Sequence, residues 1–98
     1  MAKHELKIYH EFFERKLQYP NEKPWELRYN DRNFQVKDDI LYREWTWDNN
    51  GTYTGREMTA EIIYILEDHD GLSPQYVIFT DNPLMYRNYE DGKWRSVK

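Results

Sequence analysis

A long hairpin in the middle of the chain constrains the fold most. Two largely apolar stretches, residues 39–47 and 53–67, flank the tripeptide Asn49-Asn50-Gly51. Asparagine and glycine accept the positive φ angles that tight hairpin turns require, so the tripeptide predicts a reversal of the chain. Both faces of each arm are partly apolar, which is typical of strands that curve through a small barrel.

The returning arm is expected to place five apolar side chains on one face. They occupy every second position: Met58, Ala60, Ile62, Tyr64 and Leu66. Successive side chains of a strand point to opposite sides of the sheet, so this row predicts a face packed on the core.

A strand and a short helix are predicted before this hairpin. Leu6 and Ile8 alternate with charged residues, which indicates a first strand with one buried face. Residues 10–19 predict a helix that places Phe13 towards the core and Lys16 in solvent.

Residues 25–30 alternate between apolar and polar side chains, as a strand with two distinct faces does. We expect the apolar row to cover the core and the polar row to face away from it. The rows are Trp25, Leu27 and Tyr29, and Glu26, Arg28 and Asn30. The polar row combines an acid, a base and an amide. It predicts either a surface for a polar ligand or an ordinary network of surface ion pairs.

The last third of the chain predicts one more barrel strand and a separate hairpin. Residues 76–80 form the strand, and Asp81-Asn82-Pro83 interrupts its pattern. Asp91-Gly92 then predicts a turn between strands over residues 84–89 and 93–97.

These patterns predict a barrel domain over residues 1–82 and a C-terminal hairpin extension over residues 83–98. The extension carries three large aromatic residues, Tyr86, Tyr89 and Trp94. A patch of exposed rings marks an interaction surface, which makes this hairpin a candidate homodimer contact or protein-interaction module.

Charge and composition limit the classes of function. The formal net charge is −4, so any binding of nucleic acid has to come from a local basic patch. The chain contains no cysteine, which excludes disulfides and thiolate chemistry. No apolar run has the length of a membrane span or a signal peptide, so we expect a cytoplasmic protein without a membrane partner.

No cofactor or metal site is predicted. The sequence has no glycine-rich phosphate loop and no zinc or calcium motif. His69 lies between Asp68 and Asp70, but adjacent residues in one turn rarely converge on one ion, and a solvated turn is the preferred interpretation.

Lys23, Glu26 and Arg28 have the spacing of the G-x-K-x-x-E-x-R signature of ASCH domains, which belong to the PUA-like group of small β-barrels. Residues 26–36, together with further pieces between residues 4 and 80, resemble an uncharacterised family of that group found largely in bacteriophages and their bacterial hosts. The further pieces are His4-Glu5-Leu6-Lys7, Arg43-Glu44-Trp45, Tyr53-Thr54-Gly55-Arg56, Gly71-Leu72 and Tyr76-Val77-Ile78.

Two positions depart from the family pattern. Asn21 stands where the signature has glycine, and Lys37 stands where the family has the glycine of a V-G-D sequence. Lys37 therefore puts a side chain into a turn that resembles one built for glycine.

The resemblance implies an α+β, mostly β, PUA-like (ASCH-like) pseudo-barrel of about five antiparallel-rich strands. One short helix follows the first strand, and the C-terminal hairpin is added to it. It also implies that RNA or a nucleotide-like ligand binds in a cleft beside the polar row. The residues expected to line that cleft are Lys23, Glu26, Arg28, Asn30, Arg32, His4 and Lys7.

Catalysis is the alternative that the resemblance leaves open. Some small ASCH-like proteins resemble amidohydrolases that act on acylated cytidine with a lysine, a threonine and a glutamate. Lys23 matches that lysine, but Glu26 stands at the threonine position. A metal-independent ribonuclease would have to use lysine, arginine and glutamate here. We expect a binding module rather than an enzyme.

Overall fold

The computed structural model describes residues 1–22, 25–67 and 70–97. Within these ranges the chain forms six strands and one α-helix, with a single 3-10 turn at Asp48–Asn50. In chain order they are β1 (Lys3–Tyr9), α1 (His10–Gln18), β2 (Trp25–Tyr29), β3 (Asp39–Thr46), β4 (Thr52–Leu66), β5 (Tyr76–Arg87) and β6 (Trp94–Ser96). None of the helical segments in these ranges has both the length and the apolar character needed to cross a bilayer.

All six strands belong to one sheet, in the order β1-β3-β4-β5-β2, with β6 beside the far part of β5. β1 and β3 run parallel, and the other pairs are antiparallel. The sheet curls so far that its two edges approach each other. The side chain of Arg28 on β2 donates to the carbonyl oxygen of Lys7 on β1 at 3.1 Å. The expected α+β, mostly β pseudo-barrel is therefore confirmed as a curled half-barrel with α1 directly after β1.

The predicted central hairpin is confirmed. Asn49, Asn50 and Gly51 all have positive φ angles, of 55°, 68° and 97°, between β3 and β4. A Cβ atom at Gly51 would overlap the ring of Trp45, so this position needs glycine for space as well as for its φ angle.

The core lies on the concave side of the sheet and against α1. Its buried apolar members are Leu6, Ile8, Phe13, Phe34, Ile40, Tyr42, Met58, Ala60, Ile62, Val77 and Phe79. On β4 the expected row is buried only as far as Ile62, and the prediction for Tyr64 is wrong, since that side chain is 57% exposed. The register shifts between Ile62 and Tyr64, and such a bulge turns the residues that follow it to the opposite face.

β2 is a strand as predicted, but the assignment of its faces is wrong. Trp25 and Leu27 are 62% and 61% exposed, whereas Glu26 is buried. The prediction for Lys16 is wrong in the same way, because its side chain is fully buried and its Nζ lies 3.3 Å from Glu26. A buried ammonium group needs a buried counter-charge, so the polar row of β2 turns inward.

β5 continues through the predicted interruption at Asp81-Asn82-Pro83, so that interruption is wrong. Pro83 pairs with Ala60, while Met85 pairs with Thr59, which leaves one extra residue on β5. A strand tolerates proline at a bulge of this kind, because the ladder is already disrupted there. The predicted division at residue 82 thus falls inside a continuous strand, and the β5–β6 hairpin beyond it is confirmed.

Replacing Lys37 with glycine should raise the free energy of unfolding by about 0.5 kcal/mol. Relief of the strained φ angle stabilises the folded state by more than the extra conformational freedom of glycine stabilises the unfolded chain. Lys37 has a φ angle of 76°, which disfavours any residue with a Cβ, and its N–H donates to the carbonyl oxygen of Ile62 at 2.8 Å. Urea unfolding of the wild type and Lys37→Gly measures the change. Lys37→Ala is the control, since it removes the charge but keeps the strained φ angle. An equal gain in both variants would contradict this explanation.

Candidate ligand-binding groove

A groove of about 400 Å³ separates the two edges of the half-barrel, β1 and β2. It exists because the sheet curls without closing, and within the described residues neither edge pairs with another strand on that side. Its lining residues are Lys7, Ile8 and Tyr9 from β1, Phe12 from α1, and Trp25, Glu26, Leu27 and Arg28 from β2. The volume lies in the range of small-molecule sites in proteins.

The side chain of Arg28 bridges this groove. Its Nε and Nη2 donate to Glu26 Oε1 at 3.2 and 2.8 Å, and Nη2 also donates to the carbonyl oxygen of Lys7 at 3.1 Å. The side chain is 24% exposed. The hydrogen bonds of Arg28 to described residues use Nε and Nη2, which leaves Nη1 as the guanidinium nitrogen that can donate to a ligand.

Arg28 is held in place by a buried ion cluster, made of Lys16, Glu26, Arg28, Tyr42 and Asp81. Lys16 Nζ lies 3.0 and 3.2 Å from the two oxygens of Asp81 and 3.3 Å from Glu26. The hydroxyl of Tyr42 donates to Asp81. Two cations balance two anions, so the cluster is neutral as a whole, and the neutral pairing makes burial of its four charges tolerable.

Burial changes the titration of two members of this cluster. Burial raises the pKa of Asp81, and the charge of Lys16 opposes that rise only in part. Burial and the negative charges of Asp81 and Glu26 raise the pKa of Tyr42 well above its ordinary value. Tyr42 therefore keeps its proton and serves as a permanent donor to Asp81.

An aromatic platform, made of Tyr9, Trp45 and Trp47, continues the groove along the end of the β3–β4 hairpin. The ring centroids are 5.7 Å apart for Tyr9 and Trp45, 5.9 Å for Tyr9 and Trp47, and 4.5 Å for Trp45 and Trp47. Trp47 is 71% exposed. Lys7 Nζ lies 4.5 Å from the Trp45 ring, so a positive charge accompanies the platform.

A second polar cluster joins α1 to the central hairpin around the buried carboxylate of Glu44. This carboxylate accepts hydrogen bonds from Thr54 at 2.6 Å and from Arg56 at 2.8 and 2.6 Å, and it lies 2.8 Å from His10 Nδ1. Burial alone would raise the pKa of Glu44, but these hydrogen bonds outweigh it and hold the pKa below its ordinary value. Arg56 also pairs with Glu14.

The atoms of this second cluster are close enough to consider a metal ion. One ligand atom each from His10, Glu14 and Glu44 lies within 4.8 Å of the others. The guanidinium of Arg56 already forms ion pairs with the carboxylates of Glu14 and Glu44, however, and a metal ion there would have to displace it. The residues Asp68 and His69 of the sequence-based metal candidate lie outside the described residues.

The structure brings together three of the seven predicted cleft residues, Lys7, Glu26 and Arg28. Lys23 lies outside the described residues. The other three, His4, Asn30 and Arg32, do not line the groove.

Each of those three residues has a different partner. His4 is buried, with Nε2 2.7 Å from Asp38, and Asn30 accepts a hydrogen bond from the backbone of Phe34 at 3.0 Å. Arg32 is exposed, and its Nε lies 3.7 Å from Asp31. Their role in binding a ligand stays a prediction.

Sequence reasoning missed the members of the ion cluster that lie beneath the groove. Lys16 follows Phe13 by three residues, which places both on the same side of a helix. Asp81 continues the inward alternation of Val77 and Phe79 along β5. Counting this period of two through the polar residues would have placed Asp81 inside.

The fold and the groove define a small α+β half-barrel with a candidate binding site between its two edge strands. The chain belongs to the family described as a domain of unknown function, DUF3850, whose family model matches residues 3–80. No curated protein matches the chain. The matched region ends within β5, just before the buried Asp81.

Proposed function

We propose that the chain binds a nucleotide unit of single-stranded RNA in the groove between β1 and β2. The observation that carries the proposal is the position of Arg28, whose guanidinium is oriented by Glu26 and by the carbonyl oxygen of Lys7 at the floor of a groove with aromatic walls. An oriented guanidinium suits a phosphate or the edge of a base, because its donors point in fixed directions.

The walls of the groove supply the apolar part of such a ligand's surroundings. Tyr9, Phe12 and Trp25 all line it, and each keeps more than a third of its surface exposed. Bases stack on exposed aromatic rings without regard to sequence, whereas charged residues contact the phosphates. Lys7 lies on the rim of the groove and provides a second positive charge.

The aromatic platform favours an RNA strand over a free nucleotide as the ligand. Tyr9 belongs both to the groove and to the platform, so a base in the groove would have a neighbouring stacking surface at Trp45 and Trp47. A single nucleotide fills the groove alone and makes no use of the exposed Trp47 ring. A strand of several nucleotides contacts both surfaces.

Charge limits how strong the salt dependence can be. The chain carries a net charge of −4, and Glu26 offsets part of the charge of Arg28. We therefore expect only one or two phosphate contacts, which corresponds to a slope of about −0.7 to −1.4 in log K against log salt for a single strand.

Arg28→Ala should weaken binding of a labelled single-stranded RNA about 10- to 100-fold, which is the value of one hydrogen-bonded charged contact. Fluorescence anisotropy at low salt measures the affinity, and thermal unfolding checks that the variant is folded. Arg32→Ala is the matched control, because that arginine was expected in the cleft but lies outside the groove. Equal losses in the two variants, or an unchanged affinity of Arg28→Ala, would refute the assignment.

The length of the ligand and its sugar distinguish an RNA strand from a free nucleotide and from DNA. Oligonucleotides should bind more tightly than mononucleotides, and Trp47→Ala should remove that advantage without changing the affinity for mononucleotides. Equal binding of a mononucleotide and an octanucleotide would assign the groove to a free nucleotide. Tighter binding of single-stranded DNA than of single-stranded RNA would assign the groove to DNA. No binding of any of them would overturn the proposal.

A further inference from the structure

The outer face of β2, β5 and the end of β4 is a continuous uncharged surface, which we call the apolar face. Strand register aligns its members in rows: Tyr29 with Tyr76, Leu27 with Ile78 and Leu66, and Trp25 with Thr80 and Tyr64. None of these eight side chains is charged, and Thr80 is buried beneath its neighbours. Five of them are large and at least 39% exposed: Trp25, Leu27, Tyr29, Tyr64 and Tyr76.

We propose that the apolar face is the contact between two copies of this chain, packed sheet against sheet. Single exposed apolar residues are ordinary on protein surfaces, but a contiguous patch over three strands marks an interaction site. The face arises because the ion cluster draws the polar row of β2 inward, which leaves the apolar row of the same strand outside.

The exposed area of this face is large enough for a dimer. Large apolar and aromatic side chains present about 150–250 Å² each, so the exposed fractions of these residues leave roughly 600 Å² per copy. Two such faces together bury at most roughly 1,200 Å², because Trp25 and Leu27 also face the groove; this value is the lower end of the range for specific protein interfaces.

Charge favours a second copy over nucleic acid on this face. Glu61 on β4 and Glu67, the residue directly after β4, flank Tyr64 and Leu66 in the sequence, so the margin beside the face would repel phosphate groups. With no charged member, the face has no feature that selects an oppositely charged partner. A surface without charged groups can face a second copy of itself without repulsion between like charges, as a two-fold dimer interface requires.

The proposed contact lies beside the groove but does not depend on ligand binding there. Trp25 and Leu27 belong to both surfaces, since they line the groove and a neighbouring hollow with Leu66 and Ile78. It also differs from the contact predicted at the C-terminal hairpin. In that hairpin Tyr86 packs partly against the core, and the ring of Trp94 lies 5.0 Å from Arg87.

Sedimentation equilibrium over a range of concentrations tests this inference. The wild type should reach twice the 12.2 kDa chain mass at micromolar concentrations, and Tyr64→Glu should raise the dimer dissociation constant at least tenfold. Tyr64 does not line the groove, so nucleotide binding by this variant should be unchanged. Tyr89→Glu, at a similarly exposed tyrosine of the hairpin, is the matched control and should dimerise like the wild type.

Three outcomes would overturn the inference. They are a wild-type mass of one chain up to several hundred micromolar, a Tyr64→Glu dimer as stable as the wild type, and loss of the dimer in Tyr89→Glu alone. Circular dichroism checks the fold of each variant. If Tyr64→Glu does not fold, Tyr76→Glu at the opposite end of the face replaces it, with the same expected tenfold change.

Discussion

Replacing Lys16 with methionine should lower the free energy of unfolding by about 3–5 kcal/mol, the usual cost of leaving a buried charge without its partner. Lys16 and Asp81 are both fully buried, and Asp81 lies 3.0 Å from Lys16 Nζ. Methionine keeps most of the length and volume of the side chain but leaves the two carboxylates of the cluster with a single cation, Arg28, and so with one unbalanced negative charge. Urea unfolding at neutral pH measures the loss, and Lys3→Met at an exposed position of β1 should change it by less than about 0.5 kcal/mol.

Two further measurements separate charge from packing in this prediction. Adding Asp81→Asn to Lys16→Met should recover about 1–3 kcal/mol, because it removes one unbalanced charge while an acceptor for Tyr42 remains. Lowering the pH should also reduce the difference between Lys16→Met and the wild type. If neither acid nor Asp81→Asn has an effect, Lys16 contributes through packing alone.

The direction of that pH effect follows from linkage. The pKa of Asp81 is raised in the folded state, so its contribution to stability is fully present below its unfolded pKa and is lost as the pH rises through the folded value. Removing the positive charge of Lys16 raises the folded pKa further. The variant therefore loses most at neutral pH and regains stability as Asp81 takes up its proton.

Replacing Glu44 with glutamine should cost about 3 kcal/mol at neutral pH, within the range for breaking a buried ion pair. The carboxylate of Glu44 is buried and accepts from Thr54 and twice from Arg56, and the amide of glutamine presents a donor where an acceptor is needed. Chemical unfolding at pH 7 measures the loss. Glu5→Gln is the control, because Glu5 is exposed and pairs with Arg43 on the surface.

Acid should remove the difference between Glu44→Gln and the wild type. The pKa of Glu44 is lowered below its ordinary 4.5 by hydrogen bonds that outweigh burial, so its contribution to stability is present above pH 4.5 and is lost as the pH falls through the folded value. Asp38 acts in the same direction, since hydrogen bonds from His4, Ala2 and Gln35 outweigh burial and lower its pKa. Parallel curves of stability against pH for the two proteins would contradict this role of Glu44.

Local sequence patterns were sufficient to predict the structure where the residue types themselves determine the backbone conformation. Asn49-Asn50-Gly51 predicts the central turn because few other residues adopt three successive positive φ angles. The alternation of Leu6 and Ile8 also predicts the buried face of β1, because the lysine and glutamate side chains of this strand all lie on its exposed face. The short helix and the C-terminal hairpin follow from equally local signals.

The candidate site was predicted only in part. Lys7, Glu26 and Arg28 meet in the groove, but the pattern alone put Glu26 and Arg28 on the outside of the sheet. Their inward position depends on Lys16, which is ten residues before Glu26 in sequence and 3.3 Å from it in space. Asp81 joins them from another strand, 65 residues after Lys16.

The sequence by itself thus determined most of the strands, the helix and the central turn, because these depend on periodicity and on residues with special φ angles. Only the tertiary structure decided which face of β2 is buried, where β4 changes faces, and that the groove between β1 and β2 rests on a neutral ion cluster. The physical reason is that a charged side chain is buried only when distant parts of the chain supply its counter-charge. No local pattern contains that information.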